Sequence, residues 1–270
     1  MVAGNVMIGS AAAPMWWTED HMPAFLIDPR RIQDGRLEFS AEEAHHIRVR
    51  RLREGEVVDA IDGAGTAFRV RLLSLAADVA VCQIEETTPG ALESRHELHL
   101  VAALIKGQRF DTVVEKATEV GVHTIQPMVT RRTVVKGAGK PERWQRIATA
   151  AAKQCGRSRI PDVAQVADLD QIAIQCAAEG MALLVADPTV PGSIEDVWEA
   201  DKTGIALFVG PEGGFDADEI AFLKDQGARS FVWGERILRA DTAAIVLSAL
   251  VLDQARRHSV QSTIPQGVSE

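Results

Sequence analysis

The chain has 270 residues, of which 46% are hydrophobic, so it is long enough to bury one large core or two smaller ones. Its net charge of -9 argues against a generic nucleic-acid-binding protein, and the absence of an apolar run of 18 residues argues against a membrane span. The three cysteines, Cys82, Cys155 and Cys176, have the spacing of neither a disulfide framework nor a metal site. They favour a reducing cytoplasm and no metal requirement.

The N-terminal third of the sequence reads as a leader followed by short strands. Residues 1–21 lack the basic start of a secretory signal and are predicted to be a disordered leader. Residues 22–90 contain short segments rich in β-branched residues, which predict a small β-barrel. Asp62-Gly63, followed closely by Gly65-Thr66, predicts a hairpin turn within it. Thr87-Thr88-Pro89-Gly90 ends this pattern, so residues 87–96 are predicted to be a linker.

From residue 97 the pattern changes to alternating strands and helices. Five continuous apolar segments predict buried strands: ELHLVAALI, IQPMV, MALLVAD, GIALFVG and RSFVWG. Helical spacing and end signals predict helices in QRFDTVVEKATEVG, in PERWQRIATAAAKQC, after Asp216 and in DTAAIVLSALVLDQARR. This alternation predicts a parallel sheet that is covered by helices on both faces. Residues 259–270 are polar and are predicted to form a loose tail.

Basic residues are concentrated in two segments of this acidic chain. Residues 131–159 contain nine Lys and Arg residues and one acidic residue, Glu142, and the second segment is HHIRVRRLR, residues 45–53. A charged run is often no more than a solvated face. Two such runs on an acidic chain nevertheless favour a localised polyanion-binding site.

The glycine-rich stretch FVGPEGGF, residues 208–215, lies where a predicted strand ends. Ligands of parallel sheets bind beyond the carboxyl ends of the strands, although a tight turn that merely requires glycine would look the same. The stretch contains neither the dinucleotide fingerprint nor the lysine of a phosphate loop, and Glu212 would repel a phosphate. A nicotinamide-dependent dehydrogenase is therefore disfavoured.

Two further predicted strands also end in irregular loops. One is Val185-Ala186-Asp187-Pro188, and the other is RILRADTA, residues 236–243, in which Asp241 and Thr242 are candidates for the helix N-cap. Three irregular loops at successive strand ends favour one shared ligand pocket over three unrelated turns.

GPEGG after an apolar strand and ILRADTA before the last helix resemble motifs of the SPOUT-class 16S rRNA uridine-N3 methyltransferases. Further matches are HHIRVRRLREGE, LIKGQRFDTVVEKATEVGV and KQCGRSRIPDV, and the resemblance extends over about residues 24–257. The chain departs from the family at Asp241, where the family usually has a glutamate, so a function that depends on the longer side chain is in question.

The resemblance implies an enzyme that uses S-adenosylmethionine to methylate N3 of a uridine in the 16S rRNA of the small ribosomal subunit. It further implies a homodimer, a SPOUT methyltransferase domain with a trefoil knot over residues 95–258, and a PUA-like RNA-binding barrel over residues 22–90. Topology rules would not have predicted the knot, since knots are rare exceptions.

The family motifs also imply the residues that contact the cofactor and the RNA. The implied cofactor contacts are Val185, Ala186, Val209, Gly210, Glu212, Gly213, Ile237, Leu238, Arg239 and Thr242. The implied RNA contacts, supported by the charge clusters, are His45, His46, Arg48, Arg50, Arg51, Lys106, Arg109, Lys116, Arg131, Arg132, Lys153 and Arg159. The histidines and arginines of residues 45–51 are placed in the barrel, where the alternative is an exposed basic strand edge.

Methylation of uracil N3 requires the loss of the N3 proton or stabilisation of the anionic base. Glu119 and Asp241 are the candidates for accepting the proton, although the proton could also pass to solvent, and Arg157 is the candidate for holding a phosphate or the uracil oxygens. Each has a structural alternative: a helix-face acid for Glu119, a helix cap for Asp241 and a solvated arginine for Arg157. Cys155 need not act as a nucleophile, because N3 attacks the methyl group directly. Two other functions stay open: a non-catalytic RNA-binding or ribosome-assembly protein, and a SPOUT methyltransferase with another target atom, such as a ribose 2′-hydroxyl or guanine N1.

Overall fold

The computed structural model describes residues 23–91, 93–135 and 139–261, with side chains described up to residue 258. The predicted leader and residues 262–270 of the predicted tail lie outside this part of the chain. The chain divides into two compact units. One comprises the residues up to Ala60 together with Phe68–Thr87, and the other comprises Ile61–Ala67 together with all residues from Thr88 onward.

Residues 25–89 contain a six-stranded sheet in the order β1-β4-β5-β6-β3-β2. Its core includes Phe25, Phe39 and Ile47, all of them fully buried. The sheet is accompanied by a short 3-10 helix, Pro29–Arg31. The strands are β1 Phe25–Leu26, β2 Ile32–Gln33, β3 Arg36–Phe39, β4 Val57–Ile61, β5 Thr66–Leu75 and β6 Ala80–Pro89.

The alternative of an exposed strand edge at residues 45–51 is wrong, because the segment up to Val49 belongs to a helix, α1, Ala41–Val49, and Arg50 and Arg51 follow its end. Ser40 caps it by accepting the backbone N–H of Glu43 at 3.4 Å. Ala44 and Ile47, three positions apart, are buried on its inner side. The pattern Ser-x-x-Glu at residues 40–43 is a helix-start signal, and the prediction of strands in this region overlooked it.

The hairpin between β4 and β5 is confirmed, and the start of the predicted linker is corrected. The Asp62 carboxylate accepts the backbone N–H groups of Ala64 and Thr66, each at 2.8 Å, and so closes the turn. The linker was predicted from residue 87, but β6 continues through Pro89. A proline is compatible with the last position of a strand, where no further ladder bond is needed.

The second unit is built on a parallel sheet in the order β10-β8-β7-β12-β11-β13, with β9 pairing with β8. This confirms the predicted parallel α/β architecture. Its strands are β7 Glu97–Ala103, β8 Thr124–Val129, β9 Asp162–Val163, β10 Ala167–Asp168, β11 Ala182–Ala186, β12 Gly204–Val209 and β13 Arg229–Phe231. Its helices are α2 Arg109–Val120, α3 Pro141–Cys155, α4 Leu169–Ala178, α5 Ala217–Asp225 and α6 Ala240–Gln261, with a 3-10 helix at Glu195–Val197.

Two apolar clusters lie against this sheet, as continuous hydrophobic strands require. One contains residues of α2, α3 and α6, including Phe110, Trp144 and Leu247. The other contains residues of α4 and α5, including Ile172 and Leu223. Helix α4 was not predicted, although the sequence contains its signals: Asp168 lies at the N-cap, and buried apolar residues follow at helical spacing.

The last helix is longer than predicted at both ends. It begins at Ala240, so Asp241 and Thr242 lie in its first turn and not at the N-cap, and it continues to Gln261, past the predicted start of the tail at residue 259. Among the described residues, no helix is both long and apolar enough to cross a membrane.

Candidate functional site

Three loops meet at one edge of the second unit's sheet. Strands β12, β11 and β13 are adjacent and parallel, so their carboxyl ends face the same way. The loops that follow them line a pocket of about 630 Å³. The residues predicted to contact a cofactor that line this pocket are Ala186, Val209, Gly210, Glu212, Gly213, Ile237 and Leu238.

The other three predicted cofactor residues are not among the lining residues. Val185 is 1% exposed and packs in the apolar cluster beneath the pocket. Arg239 precedes α6 and Thr242 lies in its first turn, both with exposed side chains. Ala240 and Ala243 of the same segment do line the pocket. The sequence therefore predicted the three loops, but not which of their residues face the cavity.

The glycine turn packs closely against its own aromatic residue. A Cβ atom on Gly210 would lie 3.2 Å from two carbons of the Phe215 ring, so this position has little room for a side chain. Gly214 has φ +69°, a left-handed conformation that favours glycine, and its N–H donates to the carbonyl oxygen of Pro211 at 2.8 Å. These two glycines shape the wall of the pocket.

Helix α5 begins directly after this turn with the predicted cap. Asp216 accepts the N–H of Glu219, and Glu219 accepts the N–H of Asp216, both at 2.9 Å, which completes a capping box. The first of these bonds, helped by the Arg131 guanidinium, lowers the pKa of the Asp216 carboxyl. Glu219 is only 5% exposed, although it carries a carboxylate.

Three arginines that were predicted to contact RNA lie against this acidic segment. Arg109 pairs with Glu212 at 3.2 Å. Arg131 pairs with Asp216 at 3.1 Å and with Asp218 at 2.7 Å. Arg132 lines the pocket and donates to the Gly213 carbonyl oxygen at 2.7 Å. These three guanidinium groups are thus bound within the protein.

Several lining residues were not predicted from the sequence. Asp187 is buried, and its Oδ1 accepts both the N–H and the hydroxyl of Thr189, at 2.9 and 2.6 Å. Trp233 and Arg236 lie on the loop between β13 and α6, and Lys224 comes from the last turn of α5. Asp-Pro-Thr after a strand is a turn signal, but no sequence pattern indicates that Lys224 faces the same cavity.

The three predicted catalytic residues do not line the pocket. Arg157 has a side chain that is 4% exposed and pairs with Glu93 through Nε and Nη2, at 3.0 to 3.1 Å. It also donates to the carbonyl oxygens of Thr118, Gly121 and Val122, at 3.0, 3.2 and 2.6 Å. Arg157 therefore binds carbonyl groups in the last turn of α2 and just beyond it, where helical partners become scarce.

Glu119 is exposed and Asp241 is half-buried, each in a terminal turn of its helix. Glu119 pairs with Lys116 at 2.8 Å in the last turn of α2. Asp241 Oδ1 lies 3.1 Å from the Thr242 nitrogen. Cys155 ends α3, and burial raises the pKa of its thiol, which disfavours a thiolate nucleophile.

His123 lies beside the Arg157 cluster and is buried. Its Nδ1 has no hydrogen-bond partner in the described part of the chain. Burial, together with the positive charges of Arg157 and Arg159, lowers the pKa of His123 to about 4. A neutral imidazole is therefore part of the folded structure at neutral pH.

The remaining predicted RNA contacts are spread over both units. In the first unit, His45, Arg48 and Arg51 are exposed, His46 lies 3.3 Å from Glu43, and Arg50 packs over the Phe25 ring. In the second unit, Lys106 is exposed, while Lys116, Lys153 and Arg159 are half-buried. The residues that the structure describes contain no cluster of three or more His, Cys, Asp or Glu side chains suited to a metal ion.

Comparison with known proteins relates this architecture to RNA methyltransferases. An RNA methyltransferase domain model matches residues 92–252, and an RNA methyltransferase PUA domain model matches residues 39–85. Ribosomal RNA small subunit methyltransferase E of Synechocystis sp. is 33% identical to the chain, over 84% of this chain and 76% of the relative.

Two solved structures are similar over most of their length. Ribosomal RNA small subunit methyltransferase E from Neisseria gonorrhoeae, bound to S-adenosyl methionine, is 28% identical, with a TM-score of 0.78 over 87% of this chain and 98% of that one. The putative methyltransferase Lpg2936 from Legionella pneumophila, in complex with the same cofactor, is 31% identical, with a TM-score of 0.73 over the same shares. The chain therefore belongs to the ribosomal RNA small subunit methyltransferase E family of RNA methyltransferases.

Proposed function

We propose that this protein transfers a methyl group from S-adenosylmethionine to N3 of a uridine in the 16S rRNA of the small ribosomal subunit. The observation that carries the proposal is the convergence of three strand-end loops on one pocket of about 630 Å³. The cofactor-bound relatives and the motifs of these loops support the choice of ligand and of target atom.

The residues of the pocket fit this cofactor. Val209, Ile237 and Leu238 offer apolar surface, and the turn around Gly210 offers backbone groups that can recognise an adenine. Glu212 is the charged side chain of the glycine turn, and its carboxylate suits a sulfonium and disfavours a phosphate. When bound, the cofactor would supply an electrophilic methyl group, and Ala186, Gly213 and the other predicted contacts would hold it.

The protein must also act on the target base. Uracil N3 carries a proton, so the site has to accept that proton or stabilise the anionic base. Asp241 is the candidate that we retain for proton acceptance, because it lies between the pocket-lining residues Ala240 and Ala243. Glu119, near the end of α2, is a second candidate for proton acceptance. The contacts of Arg157 support a structural function for it.

RNA would bind to exposed basic side chains of both units. We propose contacts from α1 and the residues after it, where His45, Arg48 and Arg51 are exposed, and from Lys106 after β7. Phosphate contacts of this kind make binding strongly dependent on salt. The proposed set is completed by His46, Arg50, Arg109, Lys116, Arg132, Lys153 and Arg159.

The dimer and the knot are proposals from the family resemblance, whereas the compartment and the absence of a metal requirement are proposals from residue spacing in the sequence. We propose a cytoplasmic homodimer with a trefoil knot in the second unit and without a metal requirement. The packing of α6 against α2 and β7, beside a sheet in which β11 lies between β12 and β13, is compatible with such a knot.

The test is a methyl-transfer assay on unmodified small ribosomal subunits with labelled S-adenosylmethionine, followed by nucleoside analysis. Label in 3-methyluridine is the expected result. Label in another nucleoside would overturn the target atom and keep the cofactor. Failure to bind S-adenosylmethionine at all would favour the alternative of a non-catalytic RNA-binding or ribosome-assembly protein.

A further inference from the structure

One buried carboxylate connects two loops of the second unit at the pocket. Glu219 Oε2 accepts the N–H of Asp216, which directly follows the glycine turn, at 2.9 Å. Its Oε1 accepts the N–H of Arg131, which belongs to the loop after β8, at 2.8 Å. The two segments are 85 residues apart in sequence, and Glu219 holds them together with both of its oxygens.

Only a carboxylate can make both bonds at this position. Each oxygen faces a backbone N–H donor, and the side chain is 5% exposed, so water cannot easily replace either bond. A glutamine would satisfy one donor with its oxygen and present an NH₂ group to the other. An unsatisfied buried donor is expensive, so the loops would have to separate.

Two arginine side chains of the same loop strengthen this connection. Arg131 neutralises the two acids at the start of α5, Asp216 and Asp218. Arg132 fixes the glycine turn from the other side through its bond to the Gly213 carbonyl oxygen. The loop after β8 therefore contacts the pocket wall at two places, the glycine turn and the start of α5.

We propose that Glu219 is a positioning residue that pre-orders the glycine turn for its ligand, and that Arg131 assists it by neutralising Asp216 and Asp218 instead of contacting RNA. The inference rests on the proposed function, because the ligand is taken to be S-adenosylmethionine. Neither residue touches the ligand in this proposal. Both act on the backbone that does.

The experiment compares Glu219→Gln, Arg131→Met and Arg131→Lys with the unmodified protein. Binding of S-adenosylmethionine is measured by calorimetry, and KM is measured separately for the cofactor and for small ribosomal subunits. Ser40→Ala is the matched control, since it removes a helix cap from α1 in the other unit. Thermal melting of each variant reports its stability.

We expect Glu219→Gln to raise Kd and KM for the cofactor about tenfold, with little change in KM for the subunits. Arg131→Met should raise the same two values about two- to fivefold, because its pairs are exposed, and Arg131→Lys should restore most of the affinity. Ser40→Ala should bind the cofactor like the unmodified protein even though it melts earlier.

Salt dependence separates positioning from RNA contact. The slope of log affinity for RNA against log salt should be the same for Arg131→Met and the unmodified protein. A slope that is smaller by about 0.7, the effect of one lost phosphate contact to single-stranded RNA, would overturn the assignment of Arg131. Unchanged cofactor affinity in both Glu219→Gln and Arg131→Met would overturn the positioning inference. If the unmodified protein itself does not bind S-adenosylmethionine, the proposed function is overturned, and this result is distinct from the failure of the positioning inference alone.

Discussion

Arg157 and Arg131 both pair with carboxylates in the second unit, but their surroundings differ. The Arg157 side chain is 4% exposed and is bound to Glu93 and to three backbone carbonyl groups. The Arg131 side chain is 61% exposed and pairs with two acids beside the pocket. Buried charges are costly to leave unpaired, whereas exposed pairs contribute little to stability. We therefore expect the Arg157 cluster to stabilise the fold, and the Arg131 pairs to affect ligand binding at the pocket more than stability.

Removal of Arg157 should have the largest effect. Arg157→Met leaves the Glu93 carboxylate buried without its partner, which should cost about 3–5 kcal/mol of stability. Thermal and urea unfolding would measure this loss, with Arg95→Met as the control at an exposed arginine. The double variant Arg157→Met with Glu93→Gln should recover part of the stability, because it leaves no unpaired charge.

The same variant tests the predicted catalytic function of Arg157. If Arg157→Met melts like the unmodified protein but has lost methyl transfer, then this arginine acts in catalysis, and the contrast between the two clusters is wrong.

The histidine beside the Arg157 cluster should make stability depend on pH. The folded state keeps His123 neutral down to its pKa of about 4, whereas the unfolded chain takes up the proton near the ordinary value of 6.5. Between these values the unfolded state binds more protons, so the free energy of unfolding should fall as pH falls, by at most about 1.4 kcal/mol per pH unit from this group. His96 and His99, whose pKa values burial also lowers, should add to the effect.

Melting temperatures measured from pH 7 to pH 4 would test this dependence. His123→Gln should lose less stability over that range than the unmodified protein. Equal slopes for the two proteins would assign the pH dependence to other groups.

In the pocket, a single methyl group should weaken binding without a large loss of stability. The added Cβ of Gly210→Ala would press on the Phe215 ring, which must then move by a few tenths of an ångström. We expect cofactor affinity to fall about tenfold, equivalent to about 1.4 kcal/mol. Calorimetry would measure the affinity and thermal melting would exclude unfolding. Unchanged cofactor affinity would mean that Phe215 and the turn can move to accommodate the methyl group without disturbing the pocket.

The smallest expected effect concerns the charge of Glu212. Glu212→Gln should weaken the binding of S-adenosylmethionine about threefold more than the binding of S-adenosylhomocysteine, because only the former carries a sulfonium charge. The difference should be small, because the Glu212 carboxylate is exposed and shared with Arg109. Competition binding of the two ligands would give the ratio. Equal weakening of both would indicate that Glu212 acts through the shape of the turn and not through its charge.

The sequence alone was sufficient for the parallel sheet, the three strand-end loops and the cap of α5. These depend on local signals: continuous apolar strands, glycines at turns, and the pattern of Asp216 and Glu219. The same local reasoning failed at α1, because the whole N-terminal region was interpreted as strands and turns and the helix-start signal at Ser40 was overlooked. It also overlooked α4, whose signals are present at Asp168.

The tertiary structure decided which charged residues face which partners. Arg109, Arg131, Arg132 and Arg157 look alike in the sequence, as basic residues near a predicted site. Their functions depend on partners tens of residues away in sequence, which are acids for Arg109, Arg131 and Arg157 and a backbone carbonyl group for Arg132. Local sequence patterns do not show which of these distant groups meet. The sequence therefore determined the elements of the site, and packing determined whether each arginine stabilises the core, supports the pocket wall or is exposed to solvent.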